Sequence, residues 1–482
     1  MRRKHQEIEM TSPTIVLYPS PGMGHLVAMV ELGKFILHHH PSLSITVLIS
    51  PPSFNTGSTM DYVHHISATV PSISFHHLPT ISLDLLSFPS MEAVIFELLH
   101  RSTPHVRSAL DSLSRATPIS AFIIDFFCTS SLPIAAEFHI PTYFFVTSGA
   151  YILAFFLYFP ILHNSTTQSF KDMNQLLHAP GVPPIPSSDM LRPMLDRTSS
   201  EYQNFLDFSI EIPNSAGLIV NTFESLEPKP LQAIREGMCN PGGNTPPVFC
   251  VGPLLNTENQ REEYNEVECM KWLDKQPSKS VVYICFGSLG LLSAAQLREL
   301  AVGLERSGKR FLWVVRSPPT EDKSKRYLKP PEPDLEELLP EGFVERTGDR
   351  GMVVKSWAPQ VAVLGHAAVG GFVTHCGWNS ILEAVCAGVP MAAWPMYAEQ
   401  HFNRVVLVED MKVAVRVVED EEGFVSAEEV ERRVVELMEG AEEVRREVEK
   451  KSVEAREAMA KGGSSVAALG KMVDLWTSAL SS

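Results

Sequence analysis

Between Val369 and Trp394 the chain alternates segments that constrain one another. Val369, Gly370, Gly371, Phe372 and Val373 form a short uncharged run of the kind buried in a parallel sheet. Thr374, His375, Cys376 and Gly377 break it. Trp378 to Ala387 then reads as a helix, stopped by Gly388 just past its end and Pro390 beyond. Val389 to Trp394 reads as the next strand. A strand, a tight turn, a helix and a second strand commit this part of the chain to a layered α/β fold.

The turn between strand and helix suits an anion. The first backbone N–H groups of a helix lack intrahelical acceptors, and the helix dipole is positive there. Gly377 lets a ligand approach the backbone closely, and His375, Asn379 and Ser380 add side-chain donors at the same end. Glu383 follows Asn379 by four residues and Ser380 by three, so it lies on the same face one turn along. With a diphosphate on the turn, a ribose hydroxyl would reach Glu383, as acidic residues serve ribose in dinucleotide folds. A plainer reading of the same residues is a helix cap built from Asn379 and Ser380.

The pattern recurs. Thr14 to Tyr18 is a short apolar run, followed by a Gly/Pro-rich turn, a helical pattern from Leu26 to His40 and a strand from Ser44 to Ile49. His25 therefore sits where the first strand gives way to a helix, the edge at which doubly wound sheets bind ligands. A helix N-terminus disfavours imidazolium, so His25 is expected to stay neutral and able to accept a proton, or else merely to cap the helix. Ala121 to Phe127 reads as a buried strand with Asp125 embedded in it, where a carboxylate is costly unless paired. Asp125 is expected to meet His25 across the sheet edge, or to accept backbone N–H groups. In the second half, strands are expected at Val281 to Phe286, Phe311 to Val315 and Met352 to Lys355. Gly287 and Ser288 turn the first of these into a helix from Ser293 to Ser307, a weak signal by itself; beside the stretch from Trp357 to Gln400 it makes Ser288 a candidate second phosphate contact.

The stretch from Trp357 to Gln400 opens W-A-P-Q, centres on T-H-C-G-W-N-S and closes A-E-Q. It resembles, over its whole length, the signature box of the plant UDP-dependent glycosyltransferases. The resemblance implies a GT-B fold, α/β in class, with two doubly wound Rossmann-like domains facing across a cleft and a UDP-sugar held by the box. Residue by residue, it implies that Trp357 stacks on uracil and Gln360 contacts the ribose. His375, Asn379 and Ser380 would bind the phosphates, Glu383 the ribose hydroxyls, and Glu399 and Gln400 the sugar, helped by the backbone at Trp378. Ala358, Gly377 and Tyr397 fall within the same implied donor site. The P-x-x-G-H arrangement from Pro21 to His25 resembles the same family, whose catalytic base is this His. The resemblance makes Asp125 its partner and places Gly24 and Thr147 beside the donor. Val27 and Ala28 stand where the family often has a Pro, a departure expected to alter acceptor shape.

Composition narrows the rest. A chain of 482 residues, 44% hydrophobic and 20% charged, suits a large globular protein of two or three domains. A formal charge of −16 argues against nucleic-acid binding and leaves recognition of an anionic donor to a local helix terminus. Seven cysteines scattered singly, with no CxxC, and a charged N-terminus without a signal-peptide pattern lead us to expect a cytoplasmic protein. His38, His39 and His40 are consecutive and point apart, so we read them as solvated rather than metal-binding.

Tyr143 to Leu162 carries no charge and approaches the roughly 20 residues that cross a bilayer. Thr147, Ser148 and Gly149 interrupt it. We read a strand to Val146, a turn, and a helix from Ala150 to Phe159 ended by Pro160, with aromatics that fill a core and line a pocket for a flat acceptor. His163 to Arg197 reads as a long loop over that pocket. The polar stretch from Pro253 to Pro277 is the expected boundary. This gives an acceptor domain over 1–252, a donor domain over 253–462 and a closing helix over 463–482 that, in the family, crosses back to the first domain.

The implied reaction is a single inverting displacement needing no metal and no cofactor besides UDP-glucose as co-substrate; no Asp-x-Asp pair offers to hold a cation. Gln400 points to glucose in this family, and the opening G-H-L-V-A-M-V-E-L-G-K looks like branches acting on phenolics and flavonoids, so the expected partners are a UDP-sugar and a phenolic acceptor of flavonoid or chalcone type, bound by a monomer. C-glycosylation of a similar phenolic is the nearest variant. A nucleotide-sugar binder without activity would keep Trp357 and Glu383 but lose His25 or Asp125. A dinucleotide oxidoreductase would carry G-x-G-x-x-G after the first strand, and this chain does not.

Overall fold

The computed structural model describes residues 13–51, 59–256, 267–320, 322, 328 and 330–479. The N-terminal stretch, the middle of the 253–277 boundary and parts of the segment following Val315 lie outside the described residues. The first sheet contains β1 (Thr14–Tyr18), β2 (Ser44–Ile49), β3 (Ile73–His77), β4 (Ile119–Asp125) and β5 (Thr142–Val146). After a small antiparallel hairpin of β6 (Leu176–Leu177) and β7 (Ile185–Pro186), it is completed by β8 (Gly217–Val220) and β9 (Val248–Cys250). Its order is β3-β2-β1-β4-β5-β8-β9, all parallel.

The second sheet contains β10 (Val281–Cys285), β11 (Arg310–Val315), β12 (Gly351–Lys355), β13 (Val369–Thr374), β14 (Met391–Ala393) and β15 (Ala414–Arg416), again parallel, in the order β12-β11-β10-β13-β14-β15. The doubly wound architecture expected from the sequence is the one observed. β1, β4 and β5 are buried at every position, because helices cover both faces of a parallel sheet.

In each sheet the order reverses beside the first strand, between β1 and β4 and between β10 and β13. Helices leaving such a point diverge to opposite faces and open a crevice at the carboxyl ends of the strands. The two crevices face each other. The Asn379 side-chain amide donates to the Gly24 carbonyl (3.3 Å), the Trp378 indole N–H to the Asn221 carbonyl (2.8 Å), and the Arg192 N–H to the Ala398 carbonyl (3.1 Å). The last helix, Ser464–Ala479, buries Leu469, Met472, Val473 and Trp476 against the core of the first sheet.

Some local expectations fail for physical reasons. Pro160 does not end its helix, which runs Ala150–Ser165 with Pro160 inside it. Pro inside a helix costs about 3 kcal/mol, and the burial of Phe155, Phe156, Phe159 and Leu162 around it outweighs that. β4 stops at Asp125 instead of reaching Phe127, because the Asp125 carboxylate accepts the Phe127 N–H and starts a 3-10 turn over Phe126–Ser131. The segment from His163 to Arg197 is no structureless loop. It holds the β6–β7 hairpin and 3-10 turns, and Arg197 ties it down by donating to the His163 carbonyl at 2.9 Å. The reading from sequence also omits β3, β9, β15 and the helices Thr59–Thr69 and Met91–Ala116, the last of which conceals itself behind an internal Pro104.

Candidate active site

On the first sheet's crevice, His25 lies in the first turn of the helix Met23–His39, and Asp125 is the last residue of β4. β1 and β4 are hydrogen-bonded neighbours with Tyr18 opposite Ile124, so the switch point itself brings the two residues together. The His25 Nδ1 lies 2.7 Å from Asp125 Oδ2, and Asp125 Oδ1 accepts the Phe127 N–H at 3.1 Å. Both readings of Asp125 from sequence hold at once: it pairs with His25, and it caps a turn. Thr147 Oγ1 stands 3.2 Å from the same Nδ1. The ring's Nε2 is left for other work, and the His25 side chain keeps 26% of its surface exposed while Asp125 keeps none. Phe126 and Phe127 present edges to the imidazole, with ring centres 5.9 and 5.6 Å away.

Burial pulls the His25 pKa down, but the charge and hydrogen bond of Asp125, with Glu399 adding its charge, outweigh it. The net shift is upward from 6.5. The helix terminus and burial favour the neutral ring, and the carboxylates favour the imidazolium that forms once it takes a proton.

On the facing crevice, β13 runs into His375 and the helix Trp378–Ala387. His375 is buried between two glycines: a Cβ on Gly287 would come within 2.6 Å of its Nε2, and one on Gly377 within 2.5 Å. Only glycine permits that approach. Burial holds the ring neutral, with its pKa lowered to about 4, and its Nδ1 is buried without a protein partner. The helix begins at Gly377 with no side-chain cap. Asn379 and Ser380 do not play the capping role left open by the sequence. Asn379 reaches across to Gly24, and Ser380 Oγ accepts from Gln360 Nε2 at 2.8 Å. The first N–H groups of the helix are therefore left without a side-chain acceptor, which is what an anion site needs.

Gln360 Nε2 also donates to Glu383 Oε2 at 2.6 Å. Burial raises the Glu383 pKa to about 7, against the opposing hydrogen bond from Gln360. Trp357 stands 57% exposed, just past β12, with Ala358 buried next to it in the chain. The Tyr397 ring lies 6.1 Å from that of His375. Glu399 precedes the helix Gln400–Val405, and burial raises its pKa. The Gln400 side chain is less free than expected: its Oε1 accepts the N–H groups of Met396 and Tyr397 at 2.9 and 3.0 Å, so it shapes the loop in front of it. Ser288 is exposed on the turn after β10, whose carbonyls at Gly287 and Ser288 accept from Arg316. Arg316, and Asn403, which donates to the Cys376 carbonyl at 2.9 Å, are supports that no local pattern announced.

A histidine backed by a buried carboxylate on one wall, and an uncapped helix terminus on the other, define a two-domain group-transfer enzyme of the GT-B type. Residues 255–447 match the family described as UDP-glucoronosyl and UDP-glucosyl transferase. Phloretin 2'-O-glucosyltransferase of Pyrus communis is 53% identical over 467 residues, covering 94% of this chain and 97% of that protein. Anthocyanidin 5,3-O-glucosyltransferase of a Rosa hybrid cultivar is 48% identical, covering 97% and 99%. Among solved structures, Phytolacca americana UGT2 complexed with UDP-2fluoro-glucose and pterostilbene superposes with a TM-score of 0.86 at 38% identity, covering 96% of this chain and 100% of that one. The chain belongs to the UDP-glycosyltransferase family.

Proposed function

We propose that this enzyme transfers glucose from UDP-glucose to a hydroxyl of a phenolic acceptor of flavonoid or chalcone type, with inversion and without a metal or further cofactor. The observation that carries the reading is the 2.7 Å His25–Asp125 pair placed opposite the uncapped helix at Gly377. His25 Nε2 takes the proton from the acceptor hydroxyl as its oxygen attacks the anomeric carbon, and Asp125 stabilises the resulting imidazolium. The bond from that carbon to the diphosphate breaks, and the departing UDP is stabilised by His375, Asn379, Ser380 and the helix N–H groups. These are neutral donors, so they act through hydrogen bonds and the positive end of the helix dipole. Trp357 stacks on uracil, with Ala358 below and Gln360 and Glu383 on the ribose. Gly24, Thr147, Ser288, Tyr397, Glu399, Gln400 and the Trp378 backbone surround the remainder of the donor.

The names of the Pyrus and Rosa relatives support a phenolic acceptor and glucose. Phe126 and Phe127 pack around the base and make its surroundings aromatic. Among the described residues no helix is long and apolar enough to cross a membrane. We take the enzyme as a cytoplasmic monomer, in keeping with its singly scattered cysteines and net charge of −16.

The test is a donor-by-acceptor screen read by mass spectrometry, with product linkage and anomeric configuration from NMR, run with and without chelator. A β-O-glucoside formed equally in chelator is expected. Absence of UDP release with every acceptor, retention of configuration, or loss of turnover in chelator would overturn the reading. A C-glycoside would redirect it to the carbon-linked variant.

A further inference from the structure

Glu227 has no role in the reaction above, yet it is fully buried. Its Oε2 accepts the Ala150 N–H at 2.8 Å and its Oε1 the Tyr151 N–H at 3.0 Å. A carboxylate at a helix N-terminus gains from the dipole, but removing it from water is costly. Burial raises its pKa to about 7. The helix it holds, Ala150–Ser165, follows directly on the turn that carries Thr147 to His25 Nδ1.

Glu227 and the second domain's Trp378 pack against the same glycine. A Cβ on Gly149 would fall 2.4 Å from Glu227 Oε1 and 2.6 Å from the Trp378 ring. Gly149 has an ordinary backbone conformation, φ −80 and ψ 174, so it is the space and not the backbone angle that requires glycine. The Trp378 indole N–H, reaching over from the second domain, donates to the Asn221 carbonyl at 2.8 Å. Asn221 is itself buried, and its Oδ1 accepts the Leu254 N–H at 2.8 Å. Trp378 is the first residue of the helix whose terminus faces the donor. One contiguous junction thus joins the turn at His25, the first domain's core and the first turn of the donor helix.

We propose that Glu227 is a positioning residue that sets both halves of the active site together, by anchoring the 147–149 turn against which the Trp378 indole seats the donor helix. The inference rests on the reading that this helix holds the diphosphate. E227Q keeps the length of the side chain but replaces one acceptor oxygen with an amino group facing a backbone N–H. W378F keeps an aromatic ring on Gly149 but loses the bond to Asn221. Each change leaves a buried polar group unsatisfied, which predicts a rise of about tenfold in KM for UDP-glucose for either variant.

In the double variant the two effects should not add: kcat/KM for UDP-glucose should fall by clearly less than the product of the single losses, because both changes loosen the same seat. A merely structural role would reduce the active fraction, and hence kcat, with KM for UDP-glucose unchanged. That result, or additive losses, would overturn the proposal. Should E227Q yield no folded protein, W378F decides alone, and an unchanged KM for UDP-glucose rejects the junction. Calorimetric titration of the wild type with UDP separates the two readings. Failure to bind UDP removes the donor site and this inference together, whereas UDP binding with additive variants removes only the inference.

Discussion

Replacing Asp125 by Asn isolates the electrostatic part of the proposed base. The side chain keeps its shape, and its oxygen can still accept the Phe127 N–H that Asp125 Oδ1 accepts at 3.1 Å. The other atom then becomes an amino group facing His25 Nδ1, where a carboxylate oxygen stood at 2.7 Å. Two consequences follow. The amino group favours the tautomer with the proton on Nε2, the wrong atom for a base aimed at the acceptor. The imidazolium formed in the transition state also loses its counter-charge. Two unit charges about 4 Å apart at an effective dielectric near 20 attract by about 4 kcal/mol, which is about 1,000-fold in rate.

The pH profile carries the sign. The His25 pKa lies above 6.5 because the carboxylates outweigh burial, so wild-type kcat/KM falls as pH drops through a value above 6.5. In D125N burial is opposed far less, and the acid limb should move to lower pH. The same raised pKa means that the protonated pair stabilises the fold fully below the unfolded value of about 6.5, a contribution lost as pH rises through the folded pKa. The Tm advantage of wild type over D125N should therefore be larger in acid than in base. Steady-state rates across pH, with UDP affinity as the control for folding, make the assay. A kcat within about threefold of wild type, or an acid limb that stays in place, would refute the reasoning.

Other expectations follow from single contacts. W357A should weaken UDP by about tenfold through lost base stacking while barely moving Tm, since the ring is already 57% exposed; unchanged UDP affinity in calorimetry removes Trp357 from the donor site. Glu383, with its pKa raised to about 7, ionises as pH rises through that value. If it serves the ribose as a carboxylate, the advantage of wild type over E383Q in UDP affinity should grow from pH 6 to pH 8 (about one unit on either side), and a constant difference counts against it. Arg404 is 3% exposed; its Nη2 bonds both Asp189 oxygens at 3.2 Å, and its Nη1 bonds Glu419 at 2.8 Å, linking the two domains. R404A strands these carboxylates and should cost about 3–5 kcal/mol in denaturant unfolding; a loss below about 1 kcal/mol would mean that water replaces the guanidinium at little cost.

What the sequence decides by itself is what short-range physics can encode. β1 and β2 fall where the apolar runs place them, β13 within a residue of its run, and the helix Trp378–Ala387 ends at Gly388, whose φ of +69 needs a residue without a Cβ. The resemblance of the Trp357 to Gln400 box needs no coordinates either. Tertiary structure decides the rest, because it depends on which distant segments the strand order brings together. Asp125 meets His25 because β1 and β4 are neighbours at a switch point, 100 residues apart in the chain. Asn379 turns away from its own helix because Gly24, 355 residues distant, faces it across the cleft, and that leaves the helix N–H groups for a ligand. Gln400 spends its carbonyl on the Met396 and Tyr397 N–H groups because the loop before it needs an acceptor. Glu227, Arg316 and Arg404 carry no local signature at all. A buried charge is intelligible only once its surroundings are known, and those are assembled from both domains.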